Sequence, residues 1–215
     1  MDDSLLFIEE SLKITPNYTP ALLQKGYILE KMGKFNKSNK CYDKILEIDK
    51  LNKFALNNKA HNLLRSWELE QALILIEKTL EVDSKFILAI NNKVSILSSL
   101  ERNDEALDYL NQVLLMHEDS RILRLAKINI LIKLLDLRGA MELNDQLLEL
   151  DNNDIDAINN KGVIYEHNSW FQNPEKYIPM AIKCFEEATS KDYNYSVGWS
   201  NKIVCLINSN LIIDA

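Results

Sequence analysis

Glycine, proline, cysteine and histidine are all scarce in this 215-residue chain, at 5, 4, 3 and 3 residues. So little glycine and proline leaves no room for flexible linkers and suits short turns between helices. Cys41, Cys184 and Cys205 are odd in number and have neither close pairing nor metal-ligand spacing, which predicts reduced side chains packed as small hydrophobes. His61, His117 and His167 share no ligand spacing with one another or with a cysteine, and no glycine-rich phosphate loop or nucleophile elbow occurs. The sequence therefore predicts no metal, no cofactor and no catalytic site. Positive charge is also in deficit, with 25 Lys and Arg against 32 Asp and Glu and a net charge of −7. That balance argues against nucleic acid and against an anionic membrane surface as partners. The start Met-Asp-Asp-Ser lacks the cationic region of a secretory signal, and no apolar run is long enough to span a bilayer. A cytoplasmic location is expected.

What the chain does have is a period. Gly26, Ala60, Val94, Ile128 and Gly162 recur every 34 residues, and a small residue recurs in step behind them at Ser38, Ala72, Ala106, Ala140, Ala181 and Ala215. The spacing predicts helical hairpins, with a helix A near 20–32, 54–66, 88–100, 122–134, 156–168 and 197–209. A helix B follows near 36–49, 70–83, 104–117, 138–151 and 177–191. Leu56, Ala60 and Leu63 on one helix, and Ala72, Ile76 and Leu80 on the next, follow the apolar stripe of an amphipathic helix. The repeats run 19–52, 53–86, 87–120, 121–154 and 155–195, flanked by partial repeats at 1–18 and 196–215, and the unbroken phase predicts one domain over 1–215.

The segment Tyr-Ile-Leu-Glu-Lys-Met-Gly-Lys-Phe at 27–35 followed by Tyr42 and Ile45, and Asn103-Asp104-Glu105-Ala106 followed by Leu110 and Val113, resemble the tetratricopeptide repeat consensus. The resemblance covers essentially the whole chain. It departs at the start of helix A, where Leu22, Leu56, Ile90, Arg124 and Ile158 replace the aromatic until Trp199, and at the closing proline, present only as Pro16. It implies an all-α, right-handed superhelix of about five full repeats whose concave groove binds protein or peptide partners.

The side of helix A opposite the core is reached from the glycine slot by steps of −6, −3, −2, +1, +4 and +5. Steps −3 and −2 deliver Asn57, Asn58, Asn91, Asn92, Asn159, Asn160 and Asn201, a ladder of carboxamides. Steps +1 and +5 add His61, Arg65, Asn129 and Lys133, and Ile122, Leu125 and Ile132 form a candidate apolar pocket in the fourth repeat. An amide that donates and accepts can pair with the backbone of an extended peptide whatever its side chains. By resemblance, such ladders in this family hold extended partners. A carboxylate clamp is disfavoured, because the matching positions are Leu23, Tyr27, Phe54, Asn57, His61, Leu88, Asn91 and Ser95 rather than Lys and Arg. A pentatricopeptide-like RNA reader of similar period is opposed by the acidic balance.

Three features complete the reading. Lysine precedes the slot in every repeat, at Lys25, Lys59, Lys93, Lys127, Lys161 and Lys202, pointing toward the packed side, with Asp49, Asp83, Asp151 and Asp192 as expected partners. Seven extra residues lie between Gly162 and Ala181, where Trp170, Phe171 and Tyr177 accompany Pro174 and Pro179, a pattern that predicts an aromatic loop. The chain opens on a lone helix B with Leu5, Ile8 and Leu12 on one face and closes on the start of another at 211–215. Two alternatives follow: a regulatory or targeting arm of a larger enzyme, or a homo-oligomer assembled through the terminal helices.

Overall fold

The computed structural model describes the backbone of residues 2–213 and the side chains of 4–209, and among these residues it contains twelve helices and no strand. They are α1 (Asp2–Ile14), α2 (Thr19–Lys31), α3 (Phe35–Ile48), α4 (Lys53–Arg65), α5 (Leu69–Val82) and α6 (Ile87–Ser99), then α7 (Asn103–Leu114), α8 (Arg121–Lys133), α9 (Leu137–Leu150), α10 (Ile155–Phe171), α11 (Pro174–Lys191) and α12 (Ser196–Ile213). The chain is an all-α solenoid of helical repeats, and its packing divides into two compact units, Met1–Arg102 and Asn103–Ala215. None of the helices among the described residues is long and apolar enough to cross a membrane. The lone helix expected at the start is α1. At the other end α12 continues without a turn to Ile213, and Ala215 lies outside the described residues.

Two backbone devices alternate along the chain and fix where the helices stop. Each of the first four A helices ends in a left-handed residue, at Gly33, Trp67, Glu101 and Leu135, with φ of 70°, 61°, 58° and 60°. The residue after it donates its N–H back across the turn, as from Glu68 to the Leu63 carbonyl at 2.9 Å and from Asp136 to that of Leu131 at 2.9 Å. Only Gly33 is the residue type that adopts this conformation without cost. The B helices end differently. Asp49, Asp83, Asp151 and Asp192 each cap the helix in extended conformation and accept the N–H two residues on, at 2.9 to 3.1 Å.

Between these turns the hairpins close on the glycine slot. A Cβ placed on Gly26 would lie 2.5 Å from Cε1 of Tyr42, and one on Gly162 would lie 2.6 Å from Cε1 of Phe185. Both rings are fully buried. Where the slot is Ala60, its counterpart in the same core cluster is the smaller Ile76. The slot and the side chain facing it thus trade volume, which holds the interior near crystal-like density. In the first unit Leu22, Tyr42, Ile45 and Ala55 form one core cluster and Ala60, Leu63, Ala72, Ile76, Ala89 and Ile96 another. The second unit is built on Ile128, Leu131, Ile132, Ala140, Leu147, Ala157 and Ile164, with Ile178, Ala181, Phe185 and Cys205 beyond. All three cysteines are free, and burial pushes the Cys184 and Cys205 thiols up to about 11. They carry little thiolate at neutral pH.

The aromatic loop expected in the fifth repeat is not a loop. α10 has 17 residues and α11 has 18, against 13 and 14 for α4 and α5, so the insertion is taken up as helix on both arms of the hairpin. Pro174 starts α11, where a missing N–H costs nothing, and Pro179 sits in its second turn, where the cost is one backbone bond. The Tyr177 ring stacks on Tyr165 at 6.1 Å and Trp170 packs on His167 at 4.3 Å, while Trp170 and Phe171 stay exposed.

Gly162→Ala is expected to cost about 1–3 kcal/mol by overpacking against Phe185. Combining it with Phe185→Ile should recover part of that loss, and additive urea-unfolding energies in the double-mutant cycle would refute the volume trade. Leu135→Gly is expected to stabilise by about 1 kcal/mol, since a left-handed non-glycine residue carries a cost of that order; a lowered unfolding midpoint would contradict the turn assignment.

Candidate functional site

The side of the A helices away from the B helices is where the predicted carboxamides gather, and each unit has its own row. In the first unit the buried Asn57 accepts from Asn92 Nδ2 on α6 at 2.9 Å and donates to Asn58 Oδ1 at 3.1 Å. Asn91 is half-buried beside Asn92. In the second unit the buried Asn159 accepts from Asn201 Nδ2 on α12 at 3.0 Å, and Asn160 is itself buried. In both units the amide oxygen at step −3 of one repeat accepts a hydrogen bond from the amide NH2 at step −2 further along. These carboxamides therefore crosslink neighbouring A helices.

The other predicted residues divide. His61 Nδ1 lies 3.4 Å from Oε1 of Glu30, whose side chain is 9% exposed. Arg65 is exposed and stacks its guanidinium 5.7 Å from the centre of the Phe35 ring. Asn129 and Lys133 are exposed on α8. Ile122 is 42% exposed, whereas Ile132, at 6%, belongs to the core cluster and Leu125 is half-buried against that cluster. The structure does not bring these three together as one open patch. Step +4 is a recessed border: Ser98, Ile132 and Glu166 are buried there and the Glu30 side chain nearly so.

Two polar groups went unnoticed in the sequence. Asn62 is fully buried and donates to Ser38 Oγ at 2.9 Å and to Asn39 Oδ1 at 2.7 Å, while Ser38 donates to the Gly26 carbonyl at 2.7 Å. A polar residue on an apolar stripe gave no signal of this bridge. The second is a charged knot at the start of α8 and α10. Arg121 donates to Oδ2 and Oδ1 of the buried Asp154 at 2.7 and 2.6 Å and to Asp156 at 2.6 Å, and Tyr195 donates to Asp156 at 2.9 Å. Burial by itself would push the Asp154 carboxyl up, but hydrogen bonds from Arg121 and from the Ala157 N–H outweigh it and hold the group below its ordinary value. Asp154 also caps α10.

Five lysines of the column have paired heads, but not with the expected acids. Lys25, Lys59, Lys93, Lys161 and Lys202 meet Glu9, Asp43, Glu77, Asp145 and Glu186 at 2.5 to 3.5 Å. Each acid stands sixteen residues earlier, on the preceding helix B. Asp49, Asp83, Asp151 and Asp192 are instead committed to the turns, and only Asp83 also meets a lysine, Lys53 at 2.6 Å. The hydrogen bond that Lys161 donates to the Asp145 carboxylate raises the lysine pKa, fixing its charge. Sixteen residues before Lys127 stands Asn111, which has no charge to offer.

Comparison with known proteins agrees with the all-α repeat fold. Residues 19–50 match a family model described as tetratricopeptide repeat. None of the curated proteins matches the chain in sequence. Among solved structures, YrrB, described as a TPR protein with an unusual peptide-binding site, is 18% identical with a TM-score of 0.56, the match covering 91% of this chain and 97% of that one. TTC0263, a thermophilic TPR protein in Thermus thermophilus, is 14% identical with a TM-score of 0.74, over 88% of this chain and 99% of that one. A human IFIT1 dimer with m7Gppp-AAAA is 16% identical with a TM-score of 0.73, over 96% of this chain; the chain spans 51% of the IFIT1 length. At these identities the likeness is one of fold.

Glu166, on the same face, is 8% exposed, and its Oε1 accepts from Asn208 Nδ2 at 3.1 Å. Burial pushes its carboxyl above the ordinary value of 4.5, and the amide offsets this in part. The folded state then favours the protonated form, so the unfolded chain ionises first and stability falls as pH rises from about 4.5 through the folded value. Glu166→Gln is therefore expected to raise the melting temperature at neutral pH and to change it little near pH 4. An equal shift at both would remove burial as the cause.

Proposed function

We propose that this chain, a tetratricopeptide repeat protein, is a non-catalytic interaction scaffold that holds an extended peptide segment along the amide rows of its A helices. Proteins of this fold typically act as scaffolds for protein or peptide partners. The observation that carries the finer reading is the pair of amide crosslinks, Asn57 with Asn92 and Asn159 with Asn201. They hold carboxamides of neighbouring A helices in fixed orientation, so a ligand meets groups whose ordering cost is already met. Among the described residues, the Oδ1 atoms of Asn92 and Asn201 take no other hydrogen bond and are positioned to accept from a peptide N–H.

Four or five backbone hydrogen bonds at about 1 kcal/mol each reach only about millimolar affinity, so partner side chains must add to it. His61 and Arg65 in the first unit and the exposed Ile122, Asn129 and Lys133 in the second are the flanking contacts in this reading. Capped RNA, the ligand of the IFIT1 structure, is disfavoured by the net charge of −7 and by Glu30 and Glu166 on the same side of the A helices. The expected setting is the cytoplasm.

The triple variant Asn58→Ala/Asn92→Ala/Asn201→Ala is expected to lose the proteins that the unmodified chain captures by pull-down, with its helical circular dichroism intact. Unchanged capture by a folded variant would end the amide-row reading.

A further inference from the structure

Each unit has a carboxylate at the same step of the repeat, four residues beyond the glycine slot: Glu30 on α2 and Glu166 on α10. Both are recessed from solvent and both lean on a group from the next A helix. For Glu30 that group is the His61 imidazole at 3.4 Å, which supplies a positive charge when protonated. For Glu166 it is the neutral Asn208 amide at 3.1 Å. Among the described residues no cation pairs with Glu166. Buried carboxylates are ordinarily matched by a cation, because one neutral hydrogen bond does not replace the lost hydration of a full charge.

The position of this group is as informative as its burial. Glu166 lies on the helix that carries Asn159 and Asn160, and Asn208 lies on the helix that carries Asn201. The carboxylate and the amide row therefore belong to one surface. We infer that Glu166 receives a cationic group, a lysine or arginine side chain, from the extended segment bound along the second unit. This rests on the peptide reading above and names the chemistry that reading left open. The partner's cation would take the role at Glu166 that His61 takes at Glu30. A chain of net charge −7 also draws a basic segment toward it over a longer range.

A charge-assisted hydrogen bond of this kind raises affinity by about tenfold or more. The test is selection from a random-peptide phage library on the full chain and on Glu166→Gln, whose amide oxygen keeps the Asn208 bond and whose neutral side chain does not weaken the fold. Lysine and arginine are expected to be enriched in peptides selected by the unmodified protein, and the enrichment is expected to vanish with the variant. A selected peptide resynthesised with norleucine in place of its lysine should bind the unmodified protein about tenfold more weakly. Selected peptides without lysine or arginine enrichment, or with the same enrichment on both proteins, would overturn the cation inference and leave the groove reading standing. If neither protein selects any peptide, the groove reading falls and this inference falls with it.

Discussion

The close approach of helices A and B at the glycine slot governs every other position in the repeat. With the Tyr42 and Phe185 rings seated against Gly26 and Gly162, the rotation of α2 and α10 about their axes is fixed. One residue back, the lysine is then turned toward the preceding B helix, where a carboxylate meets it in every repeat but that of Lys127. Two and three residues back, Asn57 and Asn92, and Asn159 and Asn201, bond across neighbouring A helices. A helix rotated by one residue would place lysine against the rings and asparagine among the leucines. The slot thus sets the chemistry of faces on which it is not itself exposed.

The polar groups sort by how much water they keep. The lysine heads sit at a partly exposed seam, where an ion pair contributes up to about 1 kcal/mol and is screened by salt. Their stems meanwhile cover apolar surface between helices. Asn62 and Asn144 sit deeper, each fully buried, and their amides reach Ser38 and Asn39 or the Ala157 carbonyl. Lost hydration leaves such groups dependent on geometry, so they fix how one hairpin registers on the next.

The helices were legible because the slot recurs at one spacing, and most lie one residue before their expected bounds, as with Lys53–Arg65 for 54–66. The lysine partners were not, because two sets of acids share the same 34-residue period and periodicity alone cannot choose between them. Direction can: the acid sixteen residues earlier lies on the facing helix, whereas Asp49 and its counterparts lie in the turn that begins the next repeat. The carboxamide positions were read from helical phase, but their bonds to each other needed coordinates. Ile132 was misjudged because step +4 falls on the border between adjacent A helices, where a side chain is covered by its neighbour. The same border hid Glu30 and Glu166. Trp67, Glu101 and Leu135 in left-handed turns gave no warning, since the hairpin imposes that conformation on whatever residue stands there.

The fifth hairpin shows how such an architecture absorbs unequal length. Four residues added to each arm lengthen it by about 6 Å at 1.5 Å per residue, and the connection gives up one residue, so an odd number of insertions leaves the phase intact. Beyond it, Lys202 still finds Glu186 sixteen positions upstream. A graft at the free tip of a hairpin is therefore silent at its seam, and repeats of this type can diversify in height while their floor stays level.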